Sequence, residues 1–195
     1  MKALTVTQPH ASLMVTRCPS GRFAKMFETR TWTTKYRGPI AIHSSAKLPP
    51  NIENMILSHP FREVFRVERE SQDWINADDF RLGLPTGCVL GVGNLVECYR
   101  VADALAHPLM TDDEKEFGDY SEGRYAWLID GMRPFDKPIP AKVALGLWEW
   151  NETNLDAVIE GRKCGGPSIV GVRGQPEEHP LKSTDRPEPH LHFDK

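Results

Sequence analysis

Residues 88–97 read CVLGVGNLVE, and no other stretch restricts the fold as tightly. A β-branched, apolar run of this length makes a strand. The period of two in a strand puts Gly91 and Gly93 on one face. Glycine inside a strand weakens it unless the chain bends sharply or another backbone comes close, and a small, strongly curved sheet creates both conditions. A phosphate-cradling glycine loop does not fit, because no third glycine follows at the required spacing and no helix opens there. Glu97 is expected to close this strand, as either a surface carboxylate or a proton handler at a barrel mouth.

The rest of the chain supplies partners for such a strand. Alternation predicts strands over Lys2 to Thr7, Met26 to Thr31, Pro39 to Ser44, Arg124 to Asp130 and Val143 to Trp150. Gln8-Pro9 opens a short helix running through Val15, since proline at the first helical position gives up only an N–H that would be unpaired anyway. The turn Cys18-Pro19-Ser20-Gly21 ends it. Ile52, Met55 and Ile56, then Phe61, Val64 and Phe65, recur at helical spacing on either side of Pro60. They place two short packing helices in an insertion over about residues 49–84, with residues 71–84 as its irregular part. Thr111-x-x-Glu114 has the form of a capping box, and Pro134, Pro138 and Pro140 mark an extended connection. The expectation is one α+β domain over residues 1–154, a partly open mixed β-barrel of about five or six strands flanked by short helices. Residues 155–195 are dominated by glycine, proline and charge, so a loosely ordered, flexible tail is expected there, with His190 and His192 incidental.

A chain of 195 residues can hold one sizeable core and a tail. No apolar run approaches the ~20 residues that span a bilayer, and the opening MKALTVTQPH is too polar for a signal peptide. A cytoplasmic protein without a membrane partner is expected. Cys18, Cys88, Cys98 and Cys164 lack C-x-x-C spacing and read as reduced thiols. The net charge of −3 argues against a general polyanion binder. Between Arg17 and Lys47, however, the only acid is Glu28, against Arg17, Arg22, Lys25, Arg30, Lys35, Arg37 and Lys47. A local basic patch on an acidic protein draws a phosphate-bearing ligand to one place. The plain alternative is an edge strand defended by its cations.

That basic stretch also carries the candidate chemistry. On a strand over Met26 to Thr31, Glu28, Arg30 and Trp32 share a face and Phe27 and Thr29 take the other. Lys25 sits where the Gly21 turn hands the chain to the strand, in reach of a pocket mouth. His43, on the side of the small Ala41, has room beside it for a ligand, although a structural histidine is the commoner case. Trp32 or Tyr36 could stack on a base, Arg22, Lys35, Arg37 and Lys47 could hold phosphates, and Glu28 with Arg30 could read a polar edge. Ser44 lies next to His43 in the same segment. A lysine becomes a nucleophile or base near neutral pH only where burial or a neighbouring cation favours its neutral form.

Taken in order, KALTVTQPHASLMV, Lys25-x-x-Glu28-x-Arg30 after a glycine turn, YRGPIAIHSSAK, GRYAWLID and GLWEW resemble the ASCH family, which is similar in fold to the PUA domain, a small RNA-handling barrel. The resemblance spans most of residues 1–150. It implies a PUA-like barrel that recognises RNA or a modified nucleotide or nucleoside, with Arg30, Trp32, Tyr36, Arg37, His43, Ser44 and Lys47 as ligand-binding positions. Some short ASCH proteins resemble amidohydrolases acting on N4-acetylcytidine. For these the resemblance implies Lys25, the Glu28 position and Glu97 as catalytic groups, although Glu28 stands where that pattern has a threonine. Hydrolysis of a modified nucleoside or of RNA is therefore the alternative, and a protein-interaction domain with a purely structural Lys25–Glu28–Arg30 network the second. No metal or organic cofactor is required by any of the three.

Overall fold

The computed structural model describes residues 1–65 and 83–151. The expected tail and most of the irregular part of the insertion lie outside those residues.

Among the described residues six strands form one mixed sheet: β1 (Lys2–Val6), β2 (Phe27–Arg30), β3 (Gly38–Ser44), β4 (Cys88–Arg100), β5 (Tyr125–Pro140) and β6 (Leu147–Glu149). Their spatial order is β2-β5-β4-β3-β1-β6. Only β1 and β3 run parallel, and the other neighbours are antiparallel. The sheet curls into a half-barrel, so that Arg30 on the outermost strand β2 reaches the carbonyl of Thr5 on β1, four places across, at 2.7 Å.

The curvature traces to β4. Its pairing with β5 shifts register at Val89/Gly91, Val92/Asn94 and Leu95/Glu97, and each shift bends and twists the strand. A Cβ on Gly91 would stand 2.6 Å from the carbonyl oxygen of Arg133, and one on Gly93 would stand 2.8 Å from Ile129. At Gly91 the backbone of β5 comes too close for a side chain, and at Gly93 the side chains of Ile129 and Met132 do. β4 also runs on to Arg100, so Glu97 lies within the strand, not at its end. The prolines expected in a connection belong to β5, whose 131–140 stretch lies beyond its pairing with β2. On such an open edge the missing N–H costs no ladder bond.

Both faces of the sheet carry a core. Leu4, Val6, Ile40, Ile42, Leu95, Trp127 and Ile129 fill the concave side under Met14 and Val15. Ala3, Ala41, Val89, Val92 and Trp150 pack on the other. Trp127 is fully buried and by itself removes roughly 200 Å² from water, on the order of 5 kcal/mol.

Short helices close the ends: α1 (His10–Leu13), α2 (Ile52–Leu57), α3 (Phe61–Val64), α4 (Val101–Leu105) and α5 (Asp112–Glu116). None among the described residues is long and apolar enough to cross a membrane. Leu13 of α1, Phe61 of α3 and Phe117 just after α5 meet in one apolar cluster, which brings three distant segments to the free edge of β2. Cys18 and Cys98 are free thiols, as expected, whereas Cys88 is disulfide-bonded.

Candidate functional site

The free edge of β2 borders a cleft of about 280 Å³, lined by Val6, Thr7 and His10 on one side and by Lys25 and Glu28 to Arg30 on the other. Phe117, Gly118, Asp119 and Arg124 close it. The amine, carboxylate and guanidinium singled out from sequence therefore meet in one concavity.

The backbone explains how. Ala24 donates to the carbonyl of Thr16 and Lys25 to that of Leu13, which pins the run into β2 against the end of α1. The Lys25 side chain turns inward and is 1% exposed. Its Nζ donates to the carbonyls of Phe27 at 2.5 Å and Phe117 at 2.7 Å, and stands 3.7 Å from Glu28. Glu28 in turn takes Arg30 at 3.1 Å. The result is a cation, an anion and a cation in sequence, with Lys25 at the floor and Arg30 nearer the mouth.

Sequence reasoning missed several members. Glu114 is the first. Thr111 does cap α5, accepting from the N–H of Glu114 at 3.1 Å, but the Glu114 carboxylate does not return to the cap as a capping box requires. It accepts instead from the N–H groups of Met26 and Phe27, at 2.8 and 3.0 Å. Burial pushes this carboxyl above its usual range, against the pull of Lys25 and of the two N–H groups. His10 is the second. Burial, and after it the Lys25 ammonium, pull its imidazole down from 6.5 to about 4, so a neutral ring faces the cleft at neutral pH. Arg124 is the third. It reaches Asp119 at 3.3 Å and the carbonyl of Thr29 at 3.5 Å, both long contacts. His10 and Arg124 sit inside the motif blocks KALTVTQPHASLMV and GRYAWLID, but a periodicity reading treats the first as part of a helix start and the second as a strand start.

The other expected site residues do not line this cleft. Trp32 packs edge-on against Trp127, ring centres 4.5 Å apart, and its carbonyl takes the indole N–H. Tyr36 donates its hydroxyl to the carbonyl of Pro39. Arg37 is paired with Glu97 at the surface, and the N–H of Cys98, with this pairing after it, holds the Glu97 carboxyl low. Arg22 is spent on the carbonyl of Leu109, and Lys35 and Lys47 are exposed. His43 has no open space beside it. It is buried on the far face between Thr5 (3.2 Å), the carbonyl of Ala141 (3.3 Å) and the ring of Trp148. Ser44, also buried, donates to the carbonyl of Cys88. The loop from β2 to β3 folds back over the sheet, which is why residues close in sequence to Arg30 leave its pocket.

Among the described residues, no group of three or more His, Cys, Asp or Glu side chains could hold a metal ion. The site offers hydrogen-bond donors in excess: Lys25, Arg30 and Arg124 against Glu28 and Asp119.

No protein-family model matches the chain. It is 26% identical over 163 residues to a protein of Homo sapiens named activating signal cointegrator 1, a match that takes in 83% of this chain and 24% of that protein. The chain thus spans about a quarter of the relative's length. The relation is distant and speaks at family level only, in the direction of the ASCH resemblance.

Proposed function

We propose that the cleft beside β2 recognises a nucleotide, free or as part of single-stranded RNA. The observation that supports this most is the meeting of Lys25, Glu28, Arg30, His10 and Arg124 around about 280 Å³, room for one nucleoside and not for a duplex. Two guanidinium groups at the mouth suit phosphate or carbonyl oxygens, and the Glu28 carboxylate suits an N–H. The distant relative and the ASCH resemblance point the same way without fixing a ligand.

The geometry weighs against Lys25 as a nucleophile for hydrolysis. A reactive amine must turn a lone pair toward its substrate, whereas this Nζ donates to two carbonyls and faces a carboxylate. Glu97, the carboxylate expected to assist, is across the sheet with Arg37. Lys25 is better suited to hold the floor and orient Glu28.

Calorimetric titration with nucleoside monophosphates and with a short single-stranded RNA, at low and high salt, tests the proposal. Binding that weakens with salt and falls in both Arg30→Ala and Arg124→Ala is expected. No binding of either ligand class, or binding indifferent to both substitutions, would refute it.

A further inference from the structure

Resting on the reading of the cleft as a nucleotide site, we infer that it selects a base with a cyclic imide edge, that is, a uracil-type base. The argument lies in the backbone of β2. The N–H of Ile129 donates to the carbonyl of Met26, so the pair Met26/Ile129 is a hydrogen-bonded one. In an antiparallel ladder such pairs alternate, and with the register Glu28↔Trp127 and Arg30↔Tyr125, the N–H and C=O groups of Phe27 and Thr29 point away from β5. Phe27 shows this directly, since its N–H goes to Glu114 and its C=O to Lys25.

Two buried charges therefore do at Phe27 what a neighbouring strand would do. At Thr29, about 6.8 Å further along the edge, that service stops. Among the described residues the N–H of Thr29 has no hydrogen-bond partner, and its C=O has only the 3.5 Å contact from Arg124. The Thr29 hydroxyl is turned aside, accepting from the N–H of Asp119 at 3.2 Å, and residue 29 lines the cleft. Beyond Arg30 the chain leaves the strand. The open edge is thus one residue long, too short for an added peptide strand, which needs several paired residues, and the right length for one edge of a heterocycle.

Read along the cleft, the edge presents a donor (Thr29 N–H), an acceptor (Thr29 C=O) and a donor (Arg124 Nη2). The complement is acceptor, donor, acceptor: the O=C–NH–C=O face of uracil. Guanine offers acceptor, donor, donor and would set an N–H against the Arg124 guanidinium. Cytosine and adenine have no ring N–H to give to the Thr29 carbonyl. A site built around such groups rejects a ligand that leaves them unpaired.

The test compares UMP with N3-methyl-UMP, CMP, AMP and GMP by calorimetry, and follows the Thr29 amide by hydrogen exchange with and without saturating UMP. UMP is expected to bind more tightly than each of the others, including the N3-methyl analogue, by about tenfold or more, since each of them leaves a hydrogen-bonding group of the edge unpaired. The Thr29 amide should exchange fast in the free protein and slow on binding, while the Phe27 amide is protected throughout. Arg124→Ala should narrow the preference for UMP over GMP. If the monophosphates bind but the N3-methyl analogue binds as well as UMP, or the Thr29 amide ignores the ligand, base selection by this edge is wrong and the nucleotide site stands. If none of them binds, base selection by this edge is wrong, and if the short single-stranded RNA fails to bind as well, the nucleotide site falls with it.

Discussion

Replacing Lys25 by methionine separates a clamp from a reactive amine. The substitution keeps an unbranched apolar stem and removes the ammonium from a site where it is 1% exposed. Three groups lose their partner: the carbonyls of Phe27 and Phe117 and the carboxylate of Glu28. Each buried carbonyl left unsatisfied costs ~1–3 kcal/mol, and breaking a buried ion pair from one side costs ~3–5 kcal/mol in comparable cases. The terms overlap, because Glu28 keeps Arg30 at 3.1 Å, so a net loss of about 3–5 kcal/mol is expected. For an m-value of roughly 2 kcal/mol/M that moves the urea midpoint down by about 2 M. A loss below ~1 kcal/mol would refute the clamp, and would return Lys25 to the role of a free, reactive group.

His10 makes stability depend on pH in a defined direction. Its folded value of about 4 lies below the ordinary 6.5, so between those values the unfolded chain binds the extra proton, and stability falls as pH drops from 6.5 to 4, by about 3 kcal/mol in all. Glu114, raised by burial, acts in the opposite sense above pH 4.5. The comparison is therefore with His10→Gln, whose urea-unfolding free energy should lack the His10 share of the slope; identical slopes would contradict the buried, neutral imidazole. Gly91→Ala sets a Cβ 2.6 Å from the carbonyl oxygen of Arg133, where only backbone could yield. A loss of at least about 2 kcal/mol is expected in the same assay, and a neutral result would mean that β4 and β5 are further apart. Arg37→Ala, which removes an exposed pair with Glu97, should cost under ~1 kcal/mol and leave nucleotide affinity unchanged; a loss of affinity would move the site to the loop between β2 and β3.

The barrel was legible because its signals are local. Glycines two apart in an apolar run, alternation in residues 2–7 and 39–44, and a helical repeat around Pro60 each reflect short-range geometry. The convergence of Lys25, Glu28 and Arg30 was legible for the same reason, since strand periodicity and a preceding turn fix their directions. What failed was everything decided by where the chain goes next. Trp32, Tyr36 and Arg37 follow Arg30 within a few residues, but their loop doubles back over the sheet. His43 and Ser44 alternate as expected, but the face of His43 is covered by Ala141 and Trp148 and Ser44, on the other face, is taken up by the carbonyl of Cys88, which no local pattern reveals. Glu114 reads as part of a helix cap until β2 supplies two better donors. The Thr29 backbone carries no sequence signal, because an open strand edge is a property of topology.

The most direct measurement is nuclear magnetic resonance mapping of amide shifts during titration with UMP. The account predicts the largest changes at Thr7, His10, Thr29, Gly118 and Arg124, all lining the cleft, with little at Arg37, His43 or Lys47. Shifts confined to the loop from Trp32 to Arg37, or to the face around His43, would contradict the assignment of nucleotide binding to the free edge of β2.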